Sequence, residues 1–212
     1  MTNGDVLEVE RLEARRGYTT LFARVAFTVH AGEALLVNGP NGSGKTTLLR
    51  IVAGLTQPFD GEVRWRNQPV EPFSAAMRND VAFNGHLPAL KDELSAEENL
   101  AYWIALDCGT CSHMTFGDAL DKVALGRQRK LPARVLSQGQ RRRVGLARLL
   151  LSCRRLWILD EPLTALDADG VDVLRELLDE HLERGGLCVA ASHQALPLTK
   201  AREKTLTLGT QQ

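Results

Sequence analysis

The stretch GPNGSGKT, Gly39 to Thr46, constrains this chain more than any other segment. It satisfies G-x-x-x-x-G-K-[ST] at every fixed position, follows the apolar run EALLVN and precedes the helix-like TTLLRIVAGL. That strand, loop and helix order is what a phosphate-cradling loop requires. Glycines at Gly39, Gly42 and Gly44 let the backbone curl so that successive N–H groups point at phosphate oxygens, at the positive end of the following helix. Lys45 is positioned to reach the β and γ phosphates of a nucleotide, and the Thr46 hydroxyl to bind Mg²⁺. The candidate phosphate-binding stretch is thus Gly39, Pro40, Asn41, Gly42, Ser43, Gly44, Lys45, Thr46 and Thr47.

Such a cradle needs a second metal ligand and a group to activate water. LWILDEP, Leu156 to Pro162, offers both: an unbroken apolar run suited to a buried strand, ending in adjacent carboxylates. Asp160 is expected on Mg²⁺ and Glu161 on the attacking water. Two acids at the end of a buried strand are costly without a cation to meet.

Upstream stands VLSQGQRRRVGLARLLLS, which narrows the class. LSQGQ, namely Leu136, Ser137, Gln138, Gly139 and Gln140, resembles the signature loop of ATP-binding-cassette (ABC) ATPases, usually written LSGGQ. TALD, ending at Asp167, resembles the D-loop, and ASH, ending at His193, the switch-histidine loop. The motifs follow the family order over nearly the whole chain. The resemblance implies an α/β fold: a P-loop NTPase with an ABC ATPase core, an antiparallel β subdomain and an inserted helical subdomain. On that pattern one ABC domain covers 1–212, with a nucleotide-binding core over about 1–85 and 151–212 and a helical subdomain over about 86–150. ATP and Mg²⁺ are the implied cofactors, Glu161 the base, and His193 the contact to the γ-phosphate that fixes Glu161 and water.

The signature reads as half a site. Ser137 and the Gly139 amide open a helix, offering a hydroxyl, an N–H and a positive dipole end to a phosphate. In the family that phosphate belongs to ATP held by the other subunit, so the resemblance implies a second copy of the chain in an ATP sandwich. Gln138 departs from the usual glycine, and its side chain must point away from the nucleotide. Arg141, Arg142 and Arg143 lie in one turn without interleaved aromatics, so they are expected to form a solvated helix face with contacts across the dimer, not a nucleic-acid surface.

His86 needs an explanation of its own. In ABC ATPases a glutamine between the phosphate loop and the signature contacts Mg²⁺ and the attacking water. The stretch NGHLPALKDELSAEENL, Asn84 to Leu100, puts His86 in that register. A neutral imidazole can donate or accept as an amide does, but it titrates near neutral pH, so hydrolysis should gain a pH dependence below about 7. This stretch, with its G-H-x-x-x-L-K-x-E-L-[ST] pattern, and the sequences LSQGQRRRVGLARLLLS and LDEPLTALDADG resemble the haem exporter ATPases of bacterial cytochrome c maturation. That resemblance runs from about Leu7 to Leu208. It implies a peripheral subunit docked on integral membrane subunits at the cytoplasmic face of the inner membrane, whose hydrolysis drives export of haem or its release from a periplasmic chaperone. Haem would touch the ATPase only indirectly. For the adenine, the family's stacking aromatic corresponds best to Tyr18 in RRGYTTLF, with Arg16 in the nominal register and able to stack through its guanidinium plane.

Composition limits the alternatives. Lys+Arg and Asp+Glu balance at 26 each, leaving no net field to hold nucleic acid. No run approaches the roughly 18 apolar residues of a spanning helix, and MTNGDVLEVE lacks the order of a signal peptide, so a cytosolic or peripheral chain is expected. Four cysteines are too few for a disulfide framework. Cys108 and Cys111 in CGTCSH have C-x-x-C spacing with His113 nearby, yet no second pair completes a zinc site and Ser112 stands where haem attachment needs histidine. They read as incidental thiols.

Strands are expected over VLEVERLEA, LFARVAFTV, EALLVN, LWILD and LCVAAS, and a short hairpin within GLTQPFDGEVRWRNQPVEPF. Helices are expected after the phosphate loop, over SAEENLAYWIALD, from Gln140 to Ser152 and over ADGVDVLRELLDEHLER. No repeat or interdomain linker is visible, and no appended regulatory domain is expected after TLTLGT. Two other readings compete: the ATPase of another ABC transporter, which shares every catalytic motif, and a soluble ABC protein acting on DNA or ribosomes. The second would carry long insertions or tandem cassettes, and this sequence has neither. Retention on inner membranes in low salt would favour a transporter; association with ribosomes or DNA would favour the soluble protein.

Overall fold

The computed structural model describes residues 4–86, 88–106, 114–199 and 202–209. Cys108, Cys111 and His113 lie outside the described residues. In chain order the elements are β1 (Val6–Arg16), β2 (Thr19–His30), β3 (Glu33–Asn38), α1 (Lys45–Val52), β4 (Asp60–Trp65), β5 (Gln68–Pro69), α2 (Ala75–Asp80) and β6 (Val81–Asn84). There follow α3 (Ala96–Leu106), α4 (Phe116–Lys122), α5 (Gln138–Ser152), β7 (Leu156–Asp160), α6 (Ala168–Glu183), β8 (Leu187–Ala191) and β9 (Arg202–Thr207).

Two sheets are layered on one another. The first is antiparallel, in the order β2-β1-β4-β5, and the second parallel, in the order β6-β7-β8-β3-β9. Alternation in β1 buries Leu7 and Val9, then Leu12 and Ala14. The inward set passes from odd to even numbers through a break in register between Val9 and Leu12, where Arg11 takes a left-handed φ of 49°. A bulge thus keeps both halves of a long strand facing one core.

The central parallel strands are buried on both faces, which is why they read as unbroken apolar runs. Leu35, Val37, Leu156, Ile158, Val189 and Ala191 face α1 and the antiparallel sheet. Their neighbours Leu36, Trp157, Leu159, Cys188 and Ala190 face the helical side, where α3, α4, α5 and α6 supply Leu100, Leu120, Leu146 and Leu178. The carboxyl ends of β3, β7 and β8 therefore stand side by side, each followed by one of the candidate motifs, as ligand sites of α/β sheets require.

Four features were not legible as elements: β6, β9, α2 with its Ser74 cap, and α4 with a Thr115–Asp118 capping box. Helix α5 starts at Gln138, ahead of the expected Gln140. Ser137 accepts from the Gln140 amide at 3.2 Å and the Gln140 side chain accepts from the Ser137 amide at 2.9 Å, a reciprocal cap that moves the start back. No helix among the described residues is long and apolar enough to cross a membrane.

Candidate nucleotide site

The phosphate loop joins β3 to α1 as the glycine spacing predicts. Gly44, at φ 95°, caps α1; a Cβ there would stand 2.9 Å from Phe22 Cδ1 and 3.1 Å from Leu21 Cβ, so both conformation and space require glycine. Leu48 is the amide that bonds back to Gly44, at 2.8 Å, leaving the earlier first-turn N–H groups for an anion at the positive end of the helix. The Ser43 hydroxyl is buried with no hydrogen-bond partner among the described residues. An oxyanion in this cradle satisfies both demands.

Lys45 is buried, and its ammonium donates to the carbonyls of Gly39 at 2.7 Å and Pro40 at 3.2 Å. It also lies 3.3 Å from His193 Nε2. That imidazole nitrogen sits 3.0 Å from Asn41 Oδ1 and 3.6 Å from Glu161 Oε1. An amide oxygen calls for Nε2–H and an ammonium for a lone pair, so the tautomer of His193 decides which neighbour it serves.

Across the loop, the Thr46 hydroxyl donates to Asp160 Oδ2 at 2.9 Å. Asp160 ends β7 and is only 3% exposed. A hydroxyl beside a carboxylate is a hard oxygen pair, the donor set that suits Mg²⁺ bound together with phosphates. Glu161, the next residue, adopts a left-handed φ of 50° and donates its amide to Ala191 O at 2.8 Å. Such a backbone costs on the order of 1–3 kcal/mol in a residue other than glycine and persists only where its surroundings hold it.

Arg16, Asn41, Gly42, Gly44, Lys45, Thr46, Thr47, His86, Asp160 and Glu161 line one cleft of about 230 Å³. His86 is exposed within it. The two candidates for the base separate: Arg16, the last residue of β1, lines the cleft, whereas the Tyr18 side chain is fully exposed on the tip of the β1–β2 turn.

The signature residues do not line this cleft. Leu136 is buried, Ser137 and Gln138 are exposed, and Gly139 packs on the D-loop so closely that a Cβ would stand 2.8 Å from the Ala165 carbonyl oxygen. Asp167 caps α6 by accepting from the Gly170 amide at 3.0 Å. The expectation that Arg141, Arg142 and Arg143 form a solvated face is corrected. Arg141 donates to Ala133 O and Asp92, Arg143 lies 3.7 Å from Asp167, and Arg142 is only 3% exposed. Its guanidinium donates to the carbonyls of Gly85 (2.7 Å), His86 (2.9 Å), Asp160 (2.6 Å) and Glu161 (2.5 Å). Sequence reasoning missed this residue. The available signal was spacing, since Arg142 shares a helix face with buried Gly145, Leu146 and Leu149.

The loop after β3 and the carboxylates at the end of β7 line one cleft, and the histidine after β8 contacts that lining at Lys45, Asn41 and Glu161; together they define a P-loop nucleoside-triphosphatase site. The sequence profile of the ABC transporter family matches residues 22–164. Proteins described as cytochrome c biogenesis ATP-binding export protein CcmA are similar over almost their full lengths. That of Nitrosomonas europaea is 44% identical, covering 94% of this chain and 95% of the relative; that of Vibrio cholerae is 42% identical, covering 96% and 99%. An ABC transporter ATP-binding protein from Pyrococcus furiosus superposes with a TM-score of 0.80 at 26% identity, over 95% of this chain and 97% of that one. The ATP-binding cassette MJ0796, described as a post-hydrolysis dimer bound to ADP and Pi, has the same fold, with a TM-score of 0.75 at 24% identity over 89% and 88%. The chain belongs to the ABC transporter family, in the branch of the cytochrome c biogenesis ATP-binding export proteins, and its enzymatic class is that of an ABC ATPase subunit.

Proposed function

We propose that the chain hydrolyses Mg²⁺-ATP at two composite sites between two of its copies and couples hydrolysis to haem export, or to release of a haem-loaded chaperone, in cytochrome c maturation. The observation that carries the chemistry is the convergence of Lys45, the Thr46–Asp160 pair, Glu161, His193 and His86. The phosphate loop grips the nucleotide, with Lys45 and the first-turn amides of α1 on its phosphates. Thr46 and Asp160 would hold Mg²⁺, which when bound supplies charge neutralisation at the phosphates. Glu161 takes the proton of the attacking water, while His193 and His86 orient that water and the γ-phosphate. Asn41 and Lys45, which line the cleft, both stand within hydrogen-bond distance of His193 Nε2.

Ser137 and Gly139 stand outside the cleft of their own chain at the start of α5, which supports a role toward the nucleotide of the second copy. The segment over about 86–150 is proposed as the helical subdomain that carries them. The membrane partner is proposed to seat in the cleft of about 340 Å³ between β6 and the helices α2, α3 and α5, lined by apolar Met77, Phe83, Trp103 and Leu106 with Arg78 and Arg148 among them. Strand β6 runs from that cleft straight into Gly85 and His86, so a displacement there reaches the water-orienting group within three residues. The chain would then act as a peripheral subunit at the cytoplasmic face of the inner membrane.

The test is a mild-detergent pull-down of the tagged chain and of its Glu161→Gln variant from native membranes, with co-purifying subunits identified and haem assayed spectroscopically. The reading expects haem-handling membrane subunits, and more haem retained with Glu161→Gln, which should trap the ATP-bound dimer. Recovery with unrelated permease subunits would overturn the haem assignment and leave the ATPase chemistry standing.

A further inference from the structure

Four carbonyl oxygens converge just behind the cleft, at the ends of β6 and β7. Those of Gly85 and His86 come from one strand end, and those of Asp160 and Glu161 from the next. All point at Arg142, whose two terminal nitrogens carry four N–H groups, and all four are used. Its Nε, also buried, has no partner among the described residues. Burial pushes the guanidinium's pKa down, opposed by the carboxylates of Asp160 and Glu161. A buried cation in this position is expensive, and a glutamine or leucine would fill helix α5 with less desolvation. What the arginine adds is geometry: a planar fork that spans two adjacent strand ends at once.

The residue it grips most closely is the strained one. Glu161 sits at φ 50°, and the carbonyls on both sides of its Cα–N unit, its own and that of Asp160, accept from the same Arg142 nitrogen at 2.5 and 2.6 Å. The other nitrogen fixes His86 from behind while the imidazole lines the cleft in front. Arg142 itself follows the Ser137 cap on a continuous helix, so the hydrolytic groups are tied to the element that carries the signature.

We propose that Arg142 is a positioning residue for hydrolysis: it holds the left-handed backbone of Glu161 and the His86 loop in one fixed register against the signature helix. The proposal rests on the roles assigned above to Glu161 and His86. It predicts an effect on turnover and not on nucleotide affinity, because the phosphate loop of β3 and α1 receives none of these hydrogen bonds. A misplacement of about 1 Å in a reacting group can cost on the order of a hundredfold in rate.

The experiment uses the full chain with Arg142→Gln, Arg142→Lys and Glu161→Gln, measuring kcat, KM for ATP, ADP affinity and thermal unfolding. Arg142→Gln should lower kcat by about tenfold or more, with KM and ADP affinity changed by less than about twofold. Arg142→Lys should not restore turnover, since one ammonium cannot span both strand ends; if Arg142→Gln does not fold, the lysine variant carries the same prediction. A kcat within about twofold of the parental value, or a loss of kcat matched by an equal loss of ADP binding, overturns the proposal. Should Glu161→Gln hydrolyse at the parental rate, the assignment of the site fails and this inference with it. Should Glu161→Gln be inactive while the Arg142 variants turn over normally, only this inference fails.

Discussion

Thr46 on α1 donates its hydroxyl to Asp160 at the end of β7 over 2.9 Å, although the two are 114 positions apart. If the pair exists to hold Mg²⁺, Thr46→Val and Asp160→Asn should each raise the Mg²⁺ concentration for half-maximal ATPase activity by about tenfold or more. The double variant should cost less than the product of the two, because both act on one ion. A purely structural hydrogen bond would instead cost about 1 kcal/mol of stability with an unchanged Mg²⁺ requirement. Titrating activity against Mg²⁺ beside thermal unfolding separates the outcomes.

His86 presents its imidazole to the cleft while its carbonyl is held by Arg142 at 2.9 Å. Removing the ring leaves the backbone in place, so His86→Ala should lower kcat by about tenfold, the equivalent of one lost hydrogen bond of about 1.4 kcal/mol. His86→Gln should retain turnover, since an amide can donate or accept a hydrogen bond as the imidazole does. Unchanged ATPase activity together with unchanged transport coupling in His86→Ala would sink the assignment.

Arg16 lines the cleft and Tyr18 stands clear of it. If the guanidinium stacks on the adenine, Arg16→Ala should weaken ATP binding by about fivefold, for a stacking contact worth about 1 kcal/mol. Tyr18→Ala should bind as the parent does. Equilibrium binding of ATP to both variants decides between them, and the reverse pattern would return the role to the tyrosine.

What the sequence made legible is what short-range chemistry dictates. The phosphate loop, the carboxylate pair and the switch histidine each follow an apolar run, and those runs became β3, β7 and β8 of one parallel sheet. Arg142 was hidden because its purpose depends on four carbonyls, two of them just beyond a strand too short to recognise: VAFN of β6 carries no period that separates it from a loop or a helical turn. Arginine in a run of three reads as surface by composition, and only the burial of its i+3 and i+4 neighbours argues otherwise. The Tyr18 assignment depended on the tightness of one turn. With Gly17 at φ 59°, the chain reverses directly after Arg16 and carries the tyrosine to the tip.

Beyond the cleft, His181 on α6 stacks on Trp157 of β7, with ring centroids 3.9 Å apart, and its Nε2 lies 3.1 Å from the Leu187 carbonyl, to which it donates. Burial pushes its pKa down from 6.5 to about 4, against the hydrogen bond to Leu187, which favours the charged form. The folded state thus binds fewer protons than the unfolded state between these values, so stability rises with pH across that window. It is fully present above about 6.5 and is lost as pH falls toward 4, at about 1.4 kcal/mol per pH unit and about 3 kcal/mol in all. Asp5 is held below its ordinary value despite burial by Arg66 and Arg155, and Glu33 likewise by Lys204 and the His30 amide. Both add acid sensitivity only below about pH 4.5. His181→Phe keeps a ring against Trp157 and removes the titration. It should cost about 1 kcal/mol near pH 7 for the lost hydrogen bond and flatten the stability profile between pH 6.5 and 4.5. Denaturant unfolding of both chains across that range tests the assignment, and parallel slopes would show that other groups carry the acid sensitivity.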